Sequence, residues 1–200
     1  MASVIGLPLP LLPLQLLWIN LVTDGLPALA LVMDPADPSV LERPPRPVNE
    51  PMLGRPQWLT VVLIGVMEAG LALSIYWWAL SNRDVLEARS LAFSTLVFCE
   101  VLRAFAARSQ TRVHWELGPF SNWRLVAVVV VSILVQLAIP HLDFAQRLFE
   151  IGHIPGLDNL LALGVGLIPV SVLEIRKLLL RRHTHAGARD QHPHEPVRAL

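Results

Sequence analysis

An all-α, polytopic bundle of five membrane-spanning helices is the fold class that this sequence predicts, on three observations. Of its 200 residues, 54% are apolar and only 16% are charged, against roughly 25% charged in soluble globular domains. The apolar residues gather in five runs of about 20, the length that a bilayer core of about 30 Å demands of a helix. Seventeen prolines and six tryptophans accompany them, which suits kinked helices with aromatic rings at the headgroup level better than a water-soluble bundle. The same composition excludes a disordered chain.

The spans read as 9–33, 58–80, 90–107, 123–139 and 157–180. The first is apolar except for Asn20, Thr23 and Asp24, with Gly25 and Pro27 directly after them. The second opens on Trp58, closes on Tyr76-Trp77-Trp78, and carries Glu68 among Gly65, Ala69 and Ala72, a stripe of small residues that lets helices approach closely. Glu100 interrupts the third, Trp123 opens the fourth, and Arg176-Lys177 closes the fifth, with Glu174 a turn earlier at the expected interface. Seven prolines in 34–57 make that connection an extended, semi-rigid strap and a docking surface rather than a helix. Residues 183–200 are polar, hold four of the seven histidines and show no apolar period, which predicts a disordered tail without a transport role.

Charge orients the spans. Sixteen Lys and Arg balance sixteen Asp and Glu, so total charge gives no nucleic-acid footprint, and no nucleic-acid partner is expected. Their distribution is uneven: thirteen of the sixteen basic residues fall around or after the ends of spans one, three and five, and only Arg83, Arg89 and Arg147 fall in the other two connections. The positive-inside rule therefore places the C-terminus in the cytoplasm and the N-terminus outside. Residues 1–8 carry neither a basic leader nor a cleavage site, so no signal peptide is read. An outside start without a leader is the pattern of a polytopic protein whose earlier spans lie upstream. One cysteine, Cys99, excludes an internal disulfide framework and a four-cysteine metal site.

Ionisable groups inside a membrane helix are costly enough to count as candidate functional sites. Asn20, Thr23 and Asp24 stand at i, i+3 and i+4, on one helix face. Pro27 has no N–H for the Thr23 carbonyl, and its ring crowds that oxygen, so the helix should kink or unwind here. Hard cations such as Ca²⁺ take six to eight oxygens, and broken membrane helices are where transport sites find them. One helix cannot supply so many. Glu100, about 16 Å along the third span from Arg89, is the nominated second-helix ligand. Two structural readings stand beside this one. Asn20 and Thr23 are also what a hydrogen-bonded proline kink would contain, and Glu100 also stands at i, i+3 from Arg103. For Glu68 the expected role is hydrogen bonding within the small-residue packing surface.

The run from Leu16 to Ala28, including Asn20-Leu21-Val22-Thr23-Asp24-Gly25-Leu26-Pro27, resembles the sixth transmembrane helix of the P-type cation-transporting ATPases of the calcium-pump branch. Asp34-Pro35, Arg43-Pro44-Pro45-Arg46 and Glu50-Pro51-Met52-Leu53 resemble the cytoplasmic loop after that helix, and Ala88 to Phe93 with Phe98-Cys99-Glu100-Val101 resembles the eighth helix. The resemblance covers about residues 5–182 and implies helices six to ten of a pump, a C-terminal membrane domain at 1–182. It implies cation ligands at Asn20, Thr23, Asp24 and Glu100, with Asn20 favouring a calcium-type pump and Mn²⁺ the alternative cargo. The family's phosphorylated Asp-Lys-Thr-Gly-Thr sequence and its nucleotide-binding domain do not occur in these residues. Catalytic residues and Mg-ATP would belong to an N-terminal part on the same or a separate polypeptide. The expected location is a multi-pass position in a plasma or inner membrane. The alternative of another class is a non-catalytic membrane interaction or regulatory protein that retains the pump's helix bundle.

Overall fold

The computed structural model describes residues 6, 8–34, 47, 51, 53–109, 112–118 and 120–190, with backbone alone at 114 and 181–190. Its elements are α1 (Pro13–Ile19), a wide π-helical turn (Asn20–Gly25), α2 (Leu26–Val32), α3 (Arg55–Leu80), α4 (Val85–Ala107), α5 (His114–Leu117), α6 (Trp123–Ala138) with a 3₁₀ turn (Ile139–His141), α7 (Asp143–Phe149) and α8 (Gly156–Asp190). No strand occurs among the described residues. Five stretches are long and apolar enough to cross a membrane: Pro13–Val32, Arg55–Leu80, Val85–Ala107, Trp123–His141 and Gly156–Leu180. The chain is a multi-pass membrane helix bundle. The proline-rich strap falls almost wholly outside the described residues.

Two helices start earlier than local hydropathy suggests. α3 begins at Arg55 because Pro56 sits in its first turn, where a missing N–H costs nothing. α4 begins at Val85, so Arg89 lies within the helix rather than before it. Its guanidinium is satisfied by two backbone carbonyls, those of Leu9 at 3.3 Å and Glu150 at 3.0 Å. α8 runs past the expected end of the membrane domain to Asp190, so 183–190 continue the helix and 191–200 lie outside the described residues. Arg181, Arg182, Ala186 and Ala188 are good helix formers, and extending an existing helix avoids the cost of nucleation.

α4 is the central strut. About two-thirds (67%) of its membrane window is buried, against 22–33% in the others. Phe93, Val97, Val101 and Ala104 pack with Ile19, Ala30, Leu125 and Val129 from the first span and α6. Leu91, Ala88 and Ala92 pack with Tyr76, Ala79 and Ile154 on another side. α8 comes so close that a Cβ on Gly166 would stand 2.7 Å from Phe98 Cβ and 3.0 Å from its carbonyl carbon. In a bilayer, where lipid is as apolar as leucine, such backbone approach is a main source of helix association. Gly166→Ala should therefore destabilise the bundle by about 1–3 kcal/mol, the scale of overpacking, read as earlier unfolding in detergent titration.

Buried polar groups tie the spans into one body. Gln15 is fully buried; its Oε1 accepts from Leu12 N at 3.0 Å and its Nε2 donates to Phe149 O at 2.7 Å. Trp18 Nε1 donates to Gln136 Oε1 at 3.2 Å, and Gln136 Nε2 donates to Ser94 Oγ at 3.2 Å, so α1, α6 and α4 are linked through one amide. At one end of the bundle Arg108 clasps Asp34 with Nε at 3.0 Å and Nη2 at 2.8 Å, a two-point grip on the carboxylate. Nearby, Asn122 Nδ2 donates to Ala30 O at 2.9 Å while its Oδ1 caps α6 by accepting from Leu125 N.

Candidate cation site

The first membrane span is opened where its polar residues lie. Residues 20–25 form a π-helical turn between α1 and α2, and Pro27 lies in the first turn of α2. A proline there cannot donate to the Thr23 carbonyl, so the expected break occurs, and it takes the form of a widened turn rather than a sharp bend. Thr23 is buried, and its Oγ1 donates to Ile19 O at 2.6 Å. That bond uses the hydroxyl hydrogen and leaves the oxygen lone pairs available to a cation. Asn20 and Asp24 are exposed on the open side of the span. The turn thus presents an amide oxygen and a carboxylate outward, with a hydroxyl behind them.

Glu100 lies level with this turn. Asp24 precedes Asp34 by about 15 Å of helix and Glu100 precedes Arg108 by about 12 Å, and the Asp34–Arg108 ion pair pins those two helix ends together. Glu100 also follows Phe93 by seven residues and precedes Ala104 by four, which puts its Cα on the α4 face that packs toward the first span. Its carboxylate turns elsewhere. Arg103 Nη2 donates to Glu100 Oε2, and Arg103 Nε donates to Glu68 Oε1 at 3.0 Å. Glu68 is 4% exposed, so its charge depends on this guanidinium. The three side chains border a cavity of about 630 Å³ between α3, α4 and α8, which Thr60, Arg176 and Lys177 also line.

Of the four sequence-nominated ligands, Asn20, Thr23 and Asp24 share the widened turn, while Glu100 is paired within its own helix. Among the described residues no three His, Cys, Asp or Glu side chains gather as a metal cluster. Sequence reasoning placed Glu68 in a packing surface and missed that its partner is Arg103, 35 residues away. For Glu174, expected at the interface, it did not foresee the neighbours. Glu174 is buried and accepts from Lys177 Nζ at 2.7 Å, while the same ammonium donates to Ala106 O at 2.8 Å. A usable signal existed in Gln136: an amide in the middle of an apolar span needs a partner on another helix.

The fold and this turn define a polytopic membrane domain packed around α4, with its first span broken at the polar turn. Residues 8–179 match the family model for the C-terminus of cation transporting ATPases. The chain belongs to that family, and its five spans are the C-terminal membrane region of such pumps. It is similar to the calcium-transporting ATPase of Bacillus subtilis (strain 168), 38% identical over 176 residues that cover 86% of this chain and 19% of the relative. Calcium-transporting ATPase type 2C member 2 of Mus musculus is 33% identical over 180 residues, covering 89% of this chain and 19% of the relative. Calcium-transporting ATPase 1 of Yarrowia lipolytica is 34% identical over 155 residues, 74% of this chain and 16% of that protein. The chain spans about a fifth of the length of these relatives.

Proposed function

We propose that this chain supplies cation ligands to a calcium-type P-type ATPase, with Asn20, Thr23, Asp24 and Glu100 contributing oxygens to the transported ion. The observation that carries this reading is the π-helical turn at Asn20–Gly25, which opens the first span at an amide, a hydroxyl and a carboxylate together. Ca²⁺ is the cargo favoured by an all-oxygen donor set; the names of the relatives point the same way, and Mn²⁺ is the alternative. ATP hydrolysis, with Mg-ATP as its substrate, would reside in an N-terminal catalytic part on the same or a separate polypeptide. The C-terminus would lie in the cytoplasm, with the Asp34–Arg108 end of the bundle on that side and a plasma or inner membrane around it.

Glu100 can ligate only after leaving Arg103. Glu68 makes that exchange affordable, because Arg103 Nε already holds Glu68 Oε1 at 3.0 Å and the guanidinium keeps a carboxylate when Glu100 departs. The same ion pairs favour a second reading, in which the bundle is a non-catalytic membrane interaction protein and Glu100 serves packing alone. One experiment separates the two. Joined to, or co-expressed with, the catalytic part of a calcium pump, the chain should restore Ca²⁺-dependent phosphorylation of that part by ATP. Assembly without any Ca²⁺ dependence would favour the interaction protein. A reporter fused after Arg182 tests the orientation: a cytoplasmic reading is expected, and an external one would reverse the topology.

A further inference from the structure

We propose that His141 and His153 form a transition-metal site at the end of the bundle opposite the Asp34–Arg108 ion pair, separate from the oxygen cluster around Asp24. His141 closes the 3₁₀ turn after α6, and His153 lies in the connection between α7 and α8. Their ring centroids are 4.9 Å apart with planes at 68°. An imidazole bound through one nitrogen at a Zn–N distance of about 2.1 Å has its centroid about 3.2 Å from the metal, so two rings on a tetrahedral ion stand about 5.2 Å apart. The observed 4.9 Å lies within a few tenths of an ångström of that value; the rings meet edge to face, so chelation requires them to turn about their Cβ–Cγ bonds until one nitrogen of each faces the ion.

The hydrogen bonding of His153 fits the same role. Its Nδ1 lies 3.2 Å from the Pro140 carbonyl oxygen, which can only accept. Nδ1 is therefore the donor in this contact, and in the neutral ring that leaves the Nε2 lone pair free. Metal-ligating histidines are oriented in this way, with the second ring nitrogen donating to a backbone carbonyl or carboxylate.

The two imidazoles are also held in advance. Ile139 and Pro140 are buried just before His141, Ile151 and Ile154 are buried on either side of His153, and Gln146 Nε2 donates to Pro140 O at 2.8 Å. Both histidines are exposed, so water can complete the coordination. Imidazole suits Zn²⁺, Ni²⁺ and Cu²⁺, whereas Ca²⁺ and Mg²⁺ prefer oxygen. The site would thus take an ion of a different class from the proposed cargo, and would join the segment after α6 to the segment before α8.

The test is Zn²⁺ titration of the 200-residue chain in detergent, with His114, His183, His185, His192 and His194 replaced by alanine to silence competing imidazoles. One Zn²⁺ per chain is expected, unaffected by excess Ca²⁺. Adding His141→Ala or His153→Ala should weaken binding at least about tenfold, with helix content unchanged by circular dichroism because both side chains are exposed. With Cu²⁺ as the probe, pulsed electron paramagnetic resonance should count two imidazole nitrogens, falling to one in either variant. No Zn²⁺ bound, or equal affinity in a folded single variant, would overturn the site.

Discussion

Asp24→Asn is expected to abolish cation-dependent phosphorylation of the assembled pump. The substitution keeps the size and one oxygen of the side chain but removes the negative charge that offsets a divalent ion. Asp24 is exposed in this chain alone; where the other helices of an assembled pump cover the turn and exclude water, that loss costs several kcal/mol of cation binding, and each 1.4 kcal/mol is a tenfold change in affinity. Thr23→Ala should cost less, on the order of 1 kcal/mol, because it removes one neutral oxygen. The Thr23 hydroxyl is a single donor to Ile19 O, and an alanine leaves no buried donor unpaired there. Phosphorylation assayed against Ca²⁺ concentration reads both effects, and the order Asp24→Asn far worse than Thr23→Ala is the expected result. Near-equal effects would instead favour a hydrogen-bonded proline kink as the whole meaning of the motif.

The second large effect belongs to Arg103. Arg103→Ala would strand two carboxylates, one of them almost fully buried, and breaking a buried ion pair from one side typically costs about 3–5 kcal/mol. Glu68→Gln in the same chain should restore much of that loss, since the stranded charge disappears with it. Unfolding in detergent or denaturant measures both. A single Arg103→Ala variant as stable as the parent would show that the ion pairs carry no weight in the folded bundle.

The five spans were legible because bilayer thickness imposes a length that hydropathy reports directly. Their ends were less so, for physical reasons that differ from place to place. Arg89 looked like a boundary because a guanidinium is costly in lipid; it is tolerated inside α4 because Leu9 O and Glu150 O, far away in sequence, accept from it. The short helix α7 lies in a connection whose residues carry no long apolar run. Pro27 announced the break in the first span, because a missing N–H is a local property. The shape of that break depends on how the turn packs against α4, which no local window contains.

The candidate site divides along the same line. Asn20, Thr23 and Asp24 could be grouped from spacing alone, being on one helix. For Glu100 the sequence offered two partners, the cation and Arg103, and local spacing could not choose. The fold pairs it with Arg103 and adds Glu68 from another helix, so its ligand role now depends on whether Arg103 moves aside. Glu100→Gln in the assembled pump should then lower Ca²⁺ affinity or stoichiometry, whereas a purely structural Glu100 would leave both intact.

Equilibrium binding of radioactive Ca²⁺ to the assembled pump in the absence of ATP tests the central claim most directly, since it reads the ligands without the catalytic cycle. Saturable binding in the parent that disappears with Asp24→Asn is the result expected if this chain carries the cation site. Saturable binding of parental affinity in a folded, assembled Asp24→Asn pump would contradict it.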